Sequence, residues 1–590
     1  MIIEILYKIE IVNVWFYNKK LISLSSLTNK CCILLVLFFM FSLSNVVVAA
    51  VATDVVVQNG DEQVTVSWKL PPDGAGIAGY RLYQRRQGTE LAFNIKPEFL
   101  VKDLLLDTSL TVKGLANGEQ YLFSISAYDV AGKALGIVTA TGYPGTDPGE
   151  QPAMPKDIYG AEGDNRISLF WGKNTQRNIM GWEIFRRCTT DTSYKRYARV
   201  PRIAYFKSGK NGEFSNSFIA PGYFRDDKAT NNDICMYRVR TVAASGKNSE
   251  LTQPVGLRAT PYSPPTSDEV LVLYNKKRDG SEDLARYYAE KRGIPSVQIF
   301  GISPGRRFSY RDDLQKPLIQ FLLKNNLAGR IKYIVPCYGV PVAADGRALD
   351  SKLVDLFDRY TWGRGGLGTP NPYFGQQRHF DGTYGIYIVT RLDGPTLEIA
   401  RSLVDKAITA EKRVSAQSGR AMFVHDENGK RLEKAGKRLG VQVVLKPDSF
   451  SAKELLPDDV YWYFAWRHMY HNIRGSAWPD GAVAAHLISY SFMGGFRAPQ
   501  AADRNWVQGL LEDGITATFG AVIEPYKQGY TREDLFFERF WTGDYTFGEA
   551  FMAATPTIQW AMSAVGDPLY RLGKNKQMSN GIISERKSGV

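Results

Sequence analysis

The chain has 590 residues, 44% of them hydrophobic, and carries 73 Lys and Arg against 60 Asp and Glu, a formal net charge of +13. That length supports several domains with substantial cores, and five cysteines are too few for a disulfide scaffold. Basic residues are scattered among acidic ones with no block of like charge, a pattern that argues against a nucleic-acid-binding protein.

The first fifty residues read as a leader. Lys19, Lys20 and Lys30 precede an almost unbroken apolar run from Cys31 to Met40, and Ala50-Val51-Ala52 has the small-x-small pattern at which signal peptidase cuts. Residues 1–52 are therefore expected to be a signal peptide, with a mature start near Thr53. The run is shorter than the roughly 20 apolar residues of a comfortable membrane span, so an uncleaved anchor is the second reading, and membrane attachment depends on it. Cys31 and Cys32 precede the run, whereas a lipid-modified cysteine follows one, which favours export without lipidation. The expected address is periplasm, cell surface or medium. An exported basic chain leans toward acidic polysaccharide or anionic envelope surfaces, with a merely solvated charged face as the more common alternative; the expected partner is envelope protein or polysaccharide.

From Val55 to about Tyr143 apolar residues alternate with period two. Val64, Val66 and Trp68 share one face of VTVSW, Tyr80 and Leu82 one face of YRLYQR, and Tyr121, Phe123, Ile125 and Ala127 one face of YLFSISAYD. Short strands between Pro/Gly turns make an antiparallel sandwich. The placing of Trp68 and Tyr80, with Leu115 six residues before Tyr121, resembles a fibronectin type III domain over residues 53–146, and Trp171, Trp182 and Tyr237 repeat the scheme over residues 152–262. In that fold the third and sixth strands are antiparallel neighbours. The resemblance therefore implies that Cys188 faces Cys235 and that an oxidising compartment permits a disulfide, with two separate buried thiols as the alternative. Such modules act as spacers or adhesive surfaces, so an adhesin is one reading of the whole.

After PYSPPTS the pattern changes to buried strand, helix, buried strand. EVLVLYN leads to SEDLARYYAEKRG, where Ser281 is the expected helix cap and Gly293 the stop. VQIFGI, KYIVPCYG, GIYIVTRL, RAMFVHD and VQVVLK continue the alternation, with a helix over Thr396 to Glu411. Apolar runs within Tyr461 to Pro568 complete the set: YWYFAW, AVAAHLISYS, GITATFGAVIEPY and VGDPLY. Residues 268–573 are thus expected to form a doubly wound, mostly parallel α/β domain, followed by a polar tail over 574–590. EKRVSAQSG reads as a surface crossing where the domain splits into two lobes.

NKKRDGSEDLARYYAEKRGIP, YGVPV, VTRLDGPT, Trp478-Pro479-Asp480-Gly481-Ala482, GITATFGAVIEPY and VGDPLYR resemble an uncharacterised bacterial family found in genomes that encode exosortase, an envelope protein-sorting enzyme. The resemblance implies a companion of protein sorting or exopolysaccharide production. A fainter similarity, carried by a buried strand, a second ending in small polar residues, a Gly-Ala-rich strand and Gly566-Asp567-Pro568, is to the caspase-like cysteine peptidases, gingipains in particular. There the first strand delivers His-Gly and the second Cys. Here the matching places read Ala465-Trp466 and Ser489-Tyr490-Ser491, so the thiol that attacks the carbonyl is missing.

Beside the adhesin, two functional readings of the α/β domain compete. In one, the scaffold is a noncatalytic binding or accessory factor. In the other, a hydrolase of peptides or surface polymers pairs His468 or His471 as base with Ser489 or Ser491 as nucleophile. Cys337, at the end of KYIVPCYG, reads as a buried structural cysteine. Candidate ligand-binding residues are Arg391, Asp393, Asp480, Glu524 and Asp567; Arg391, on a strand, could bind a carboxylate of substrate or of the domain itself. Asp393 has helix capping as its bland alternative, and Asp567 a tight turn ahead of Pro568. His468 and His471, with His379 or Asp480, have a spacing seen in some metal sites, but no Cys pair or His-Glu-x-x-His accompanies them. No metal and no cofactor are expected.

Overall fold

The computed structural model describes residues 52–573 except 72–75, 87–99, 150, 203, 207–216, 220–221, 306–307, 362–367, 414–418, 425–426, 447–454, 467–472, 493–494 and 498–505. The expected leader, except its last residue Ala52, and the polar tail lie outside the described residues. Among those described, no helix is long and apolar enough to cross a membrane.

The period-two pattern becomes two sandwiches of the same plan. In the first, a sheet of Thr53–Gly60, Gln63–Lys69 and Ser109–Lys113 faces one ordered Leu100–Leu105, Gly79–Arg86, Tyr121–Tyr128, Ala134–Gly142, with every pairing antiparallel. Val64, Val66, Trp68, Leu82, Phe123 and Ile125 fill the space between, with the Trp68 and Tyr80 rings 5.2 Å apart edge to face. The Tyr121 hydroxyl accepts the Ala116 N–H at 2.9 Å, the corner that fixes the turn into this strand. The second sandwich repeats the plan: Tyr159–Gly163, Arg166–Phe170 and Tyr223–Asp226 against the order Lys195–Pro201, Ile179–Cys188, Ile234–Ala243, Val255–Arg258. Cys188 stands opposite Cys235 in the register of its two central strands, and the two form a disulfide.

The second sandwich is fastened to the third part of the chain. The Ser168 and Tyr223 hydroxyls donate to the Thr383 carbonyl at 2.6 and 2.9 Å, and the Arg359 guanidinium donates to the Gly222 carbonyl and the Tyr159 hydroxyl. All three parts meet at Glu119 of the first sandwich, which lies 3.4 Å from Lys173 of the second and 3.6 Å from Arg311 beyond it.

The third part alternates strands and helices. Its elements are β1 (Val270–Asn275), α1 (Ser281–Arg292), β2 (Ile299–Ile302), β3 (Tyr333–Pro336), β4 (Ile388–Val389), α2 (Leu397–Glu411), β5 (Arg420–Val424), α3 (Glu427–Arg438), β6 (Val443–Lys446), β7 (Val460–Trp466), β8 (Val483–Leu487), β9 (Ala517–Ala521), α4 (Glu533–Trp541) and β10 (Met562–Val565). One parallel sheet has the order β2-β1-β3-β4, and a second has β6-β5-β7-β8-β9-β10 with only β10 antiparallel. The expected split into two lobes corresponds to these two sheets. They are nevertheless joined: Arg391, just past β4, pairs with Val565 of β10, so ten strands run side by side. β8 is buried throughout, which suits a central strand covered on both faces. Gly293 closes α1 in the left-handed region at φ 69°, as expected, but Ser281 is the first helical residue and Gly280 the cap; the serine hydroxyl instead accepts the Asn275 N–H at 2.9 Å.

Two outcomes test this architecture. Replacing both Cys188 and Cys235 with alanine removes a bridge across 47 residues of sequence and should lower stability by about 2–4 kcal/mol in urea unfolding. The buried Glu183 of the second sandwich holds Arg196, Arg199 and Arg240. Burial pushes its carboxyl up, but these hydrogen-bonded guanidiniums outweigh that and hold it below the usual range. Its stabilisation is therefore complete above the ordinary value of 4.5 and fades as pH falls through the lowered one. Acid unfolding curves should show a shallower pH dependence in Glu183→Gln than in the parent.

Candidate functional site

The carboxyl ends of β8 and β9 lie side by side, and the two turns leaving them are tied together by one carboxylate. Past β8 the Ser489 hydroxyl donates to Glu524 Oε2 at 2.5 Å, while Glu524 Oε1 accepts the Tyr526 N–H at 2.9 Å. Ser489 Oγ also lies 3.1 Å from the Tyr530 hydroxyl. A serine has one proton, so with that proton given to Glu524 the phenol is the donor of this second bond. The structure thus brings Ser489 and Glu524, separate candidates in the sequence, into direct contact.

Each turn then presents an exposed ring. Tyr490 is 41% exposed and Tyr526 56%, and both adopt left-handed backbone, at φ 61° and 46°. That conformation crowds the Cβ of a non-glycine residue, and such residues gather where a side chain must be aimed. Behind Tyr526 lies the buried Trp560, its ring centroid 5.9 Å away. Neither tyrosine is singled out by sequence pattern, because a backbone angle leaves no mark in composition.

The other candidates fall elsewhere. Ser491 is fully buried, its hydroxyl accepting the Ala521 N–H at 2.7 Å and lying 3.4 Å from the Ala521 carbonyl. It clasps β9 to the turn after β8, a position that shields the oxygen from any substrate. His468 and His471 lie outside the described residues. Asp480 precedes β8 and is 3.7 Å from Arg413. Five residues of strand, about 16 Å, separate it from the Ser489 edge.

Arg391 and Asp393 form an internal ion network instead of a ligand site. Arg391 is fully buried and donates to both Asp350 oxygens at 2.8 and 2.7 Å, to Asp393 Oδ2 at 3.1 Å, and to the Val340 and Pro341 carbonyls. Its carboxylate partner is thus the chain's own. Nor does Asp393 cap the next helix: Thr396 does so, accepting the Ile399 N–H. Asp567, fully buried, accepts Tyr288 at 2.7 Å and Arg292 at 2.6 Å, and its Oδ1 takes the Leu569 N–H, so it closes the turn around Pro568 and pins α1 to the end of β10. Cys337 is buried, and that burial drives its thiol far up, the opposite of nucleophile activation. His379 is stacked between Tyr262 and Tyr545, at 3.7 and 4.4 Å, beside Glu549.

Among the comparisons with known proteins, a family match falls in the amino-terminal part. Residues 50–136 match the fibronectin type III domain family. Those residues are a fibronectin type III domain. Chitinase A1 of Niallia circulans is 28% identical over 129 residues, which are 21% of this chain and 16% of that protein, so the chain spans under a fifth of this relative's length. Among solved structures, the FN1–FN3 domains of chicken CNTN1 are 15% identical, covering 35% of this chain and 67% of theirs, with a TM-score of 0.15. A two-domain fibronectin type III segment of chicken tenascin gives 15% identity, 35% and 99% coverage, and a TM-score of 0.16.

The buried network supplies a prediction. Arg391→Ala leaves Asp350 and Asp393 as buried, uncompensated charges and should cost about 3–5 kcal/mol in urea unfolding.

Proposed function

We propose that this is an exported envelope protein that binds a surface polymer at the joined ends of β8 and β9 and does no chemistry on it. The observation that carries the reading is the Ser489–Glu524 pair framed by Tyr490 and Tyr526. A serine becomes a nucleophile when a positioned imidazole or amine takes its proton. Ser489 instead gives its proton to a carboxylate and receives one from a phenol. Such a fixed array of donor and acceptor, flanked by exposed rings, suits recognition of a hydroxyl-rich ligand.

The fibronectin type III domain and the short stretch of similarity to a chitinase fit an extracellular setting, without transferring that enzyme's activity. The leader-like first fifty residues agree with export. The six motifs spread from Asn275 to Arg571 support, as the finer reading, a companion of exosortase sorting or exopolysaccharide production on a caspase-like scaffold that lost its thiol.

The full chain should be retained by purified envelope polysaccharide in affinity electrophoresis. Tyr490→Ala combined with Tyr526→Ala should weaken retention about fivefold or more while leaving the melting temperature within a few degrees, because both rings are solvent-facing. A fluorophosphonate probe should leave the protein unlabelled. Labelling that disappears in Ser489→Ala would replace this reading with the hydrolase.

A further inference from the structure

Beside Ser489 lies a recess that the site described above does not use. It is lined by Arg431 and Leu432 of α3, Leu487 at the end of β8, Lys527, Tyr530 and Thr531, and the start of α4, and holds about 60 Å³. That is room for one small polar group, a water occupying roughly 30 Å³ in the liquid. Tyr530 belongs to both places: it lines the recess and hydrogen-bonds Ser489.

Three features of this recess suit an anion. First, α4 begins here without a side-chain cap, Arg532 standing at the cap position. Its first N–H groups and the positive end of its dipole therefore favour negative charge. Second, Lys527 is exposed and has no hydrogen bond or ion pair among the described residues, whereas Arg532 is already taken by Asp534 at 2.8 and 3.0 Å. Third, Glu533 lines the recess at only 5% exposure, and its Oε1 has no hydrogen-bond partner. Burial, with Asp534 adding to it and Arg431 opposing, pushes this carboxyl well above the usual range. A carboxyl group that keeps its proton is a hydrogen-bond donor, and its best acceptor is a second, ionised carboxylate.

We propose that this recess is a subsite for the carboxylate of an acidic polysaccharide, a uronic-acid residue held by Lys527, Glu533 and the start of α4 while neighbouring sugars lie against Tyr490 and Tyr526. The inference rests on the polymer-binding reading above and names its ligand class. A peptide carboxylate shares the charge but suits the surroundings less well. Peptides that bind as added strands do so at sheet edges, whereas this site stands at the ends of central strands, near two exposed rings. The flat C–H faces of pyranose rings match those rings, and the net charge of +13 favours a polyanion.

The test is calorimetric titration of the full chain with oligogalacturonate, its methyl ester, and a short peptide as free acid and as amide. Oligogalacturonate should bind, and the ester about tenfold more weakly, since the charge-assisted contacts are lost. Lys527→Ala should weaken the acid by a similar factor and leave the ester unchanged. Glu533→Gln, which stays neutral and keeps an N–H donor, should bind the acid within about threefold, whereas Glu533→Leu, matched to it in melting temperature, should not. Equal affinity for acid and ester, untouched by Lys527→Ala, would overturn the subsite while leaving the binding surface standing. Binding of the peptide acid in preference to the sugar would overturn the polysaccharide assignment. Absence of retention by any polysaccharide, already visible in affinity electrophoresis, removes the reading beneath it.

Discussion

One buried guanidinium holds the α/β part together. Arg391 follows β4, and its own backbone crosses to β10, its N–H donating to the Ala564 carbonyl and its carbonyl accepting the Gly566 N–H, both at 2.9 Å. Its side chain meanwhile gathers Asp350, Asp393 and two carbonyls from the segment after β3. Ser563 of β10 also donates to Asp350. The seam between a four-stranded and a six-stranded sheet is thus closed by backbone and side chain of one residue, and the ends of β8 and β9 sit on a platform that cannot split there without stranding three charges in the core.

The fold was largely legible because hydrophobic period survives translation into structure. Val64, Val66 and Trp68 lie on one buried face, as their spacing implied, and the neighbouring strands implied by the fibronectin resemblance bring Cys188 opposite Cys235. The site was less legible, for two physical reasons. Arg391 read as able to bind a carboxylate of a ligand or of the domain itself, and the second holds; its partner Asp350 could not be named, because it is 41 residues away and no local pattern marks a pairing of that range. Ser491 and Ser489 are two residues apart in a small polar run, yet one faces the core and the other the edge, because the left-handed turn at Tyr490 separates them. Glu533 is a first-turn acid of α4 that no sequence motif singles out, and only its enclosure sets it apart.

The modules differ in how they are attached. The second sandwich meets the α/β part through buried hydroxyl–carbonyl bonds and the Arg359 guanidinium, which hold their relative placement. The first sandwich reaches it through the charged junction at Glu119, where the pull of Lys173 and Arg311 on a carboxylate is the kind of contact that dissolved ions weaken.

The two left-handed tyrosines set backbone stability against the display of a side chain. Glycine enters that region without the steric cost a Cβ incurs, so backbone energy alone would favour it at 490 and at 526. Retaining a ring at both places means that this surface was not shaped for thermal robustness, and a search for hardier variants would tend to erase the two exposed rings.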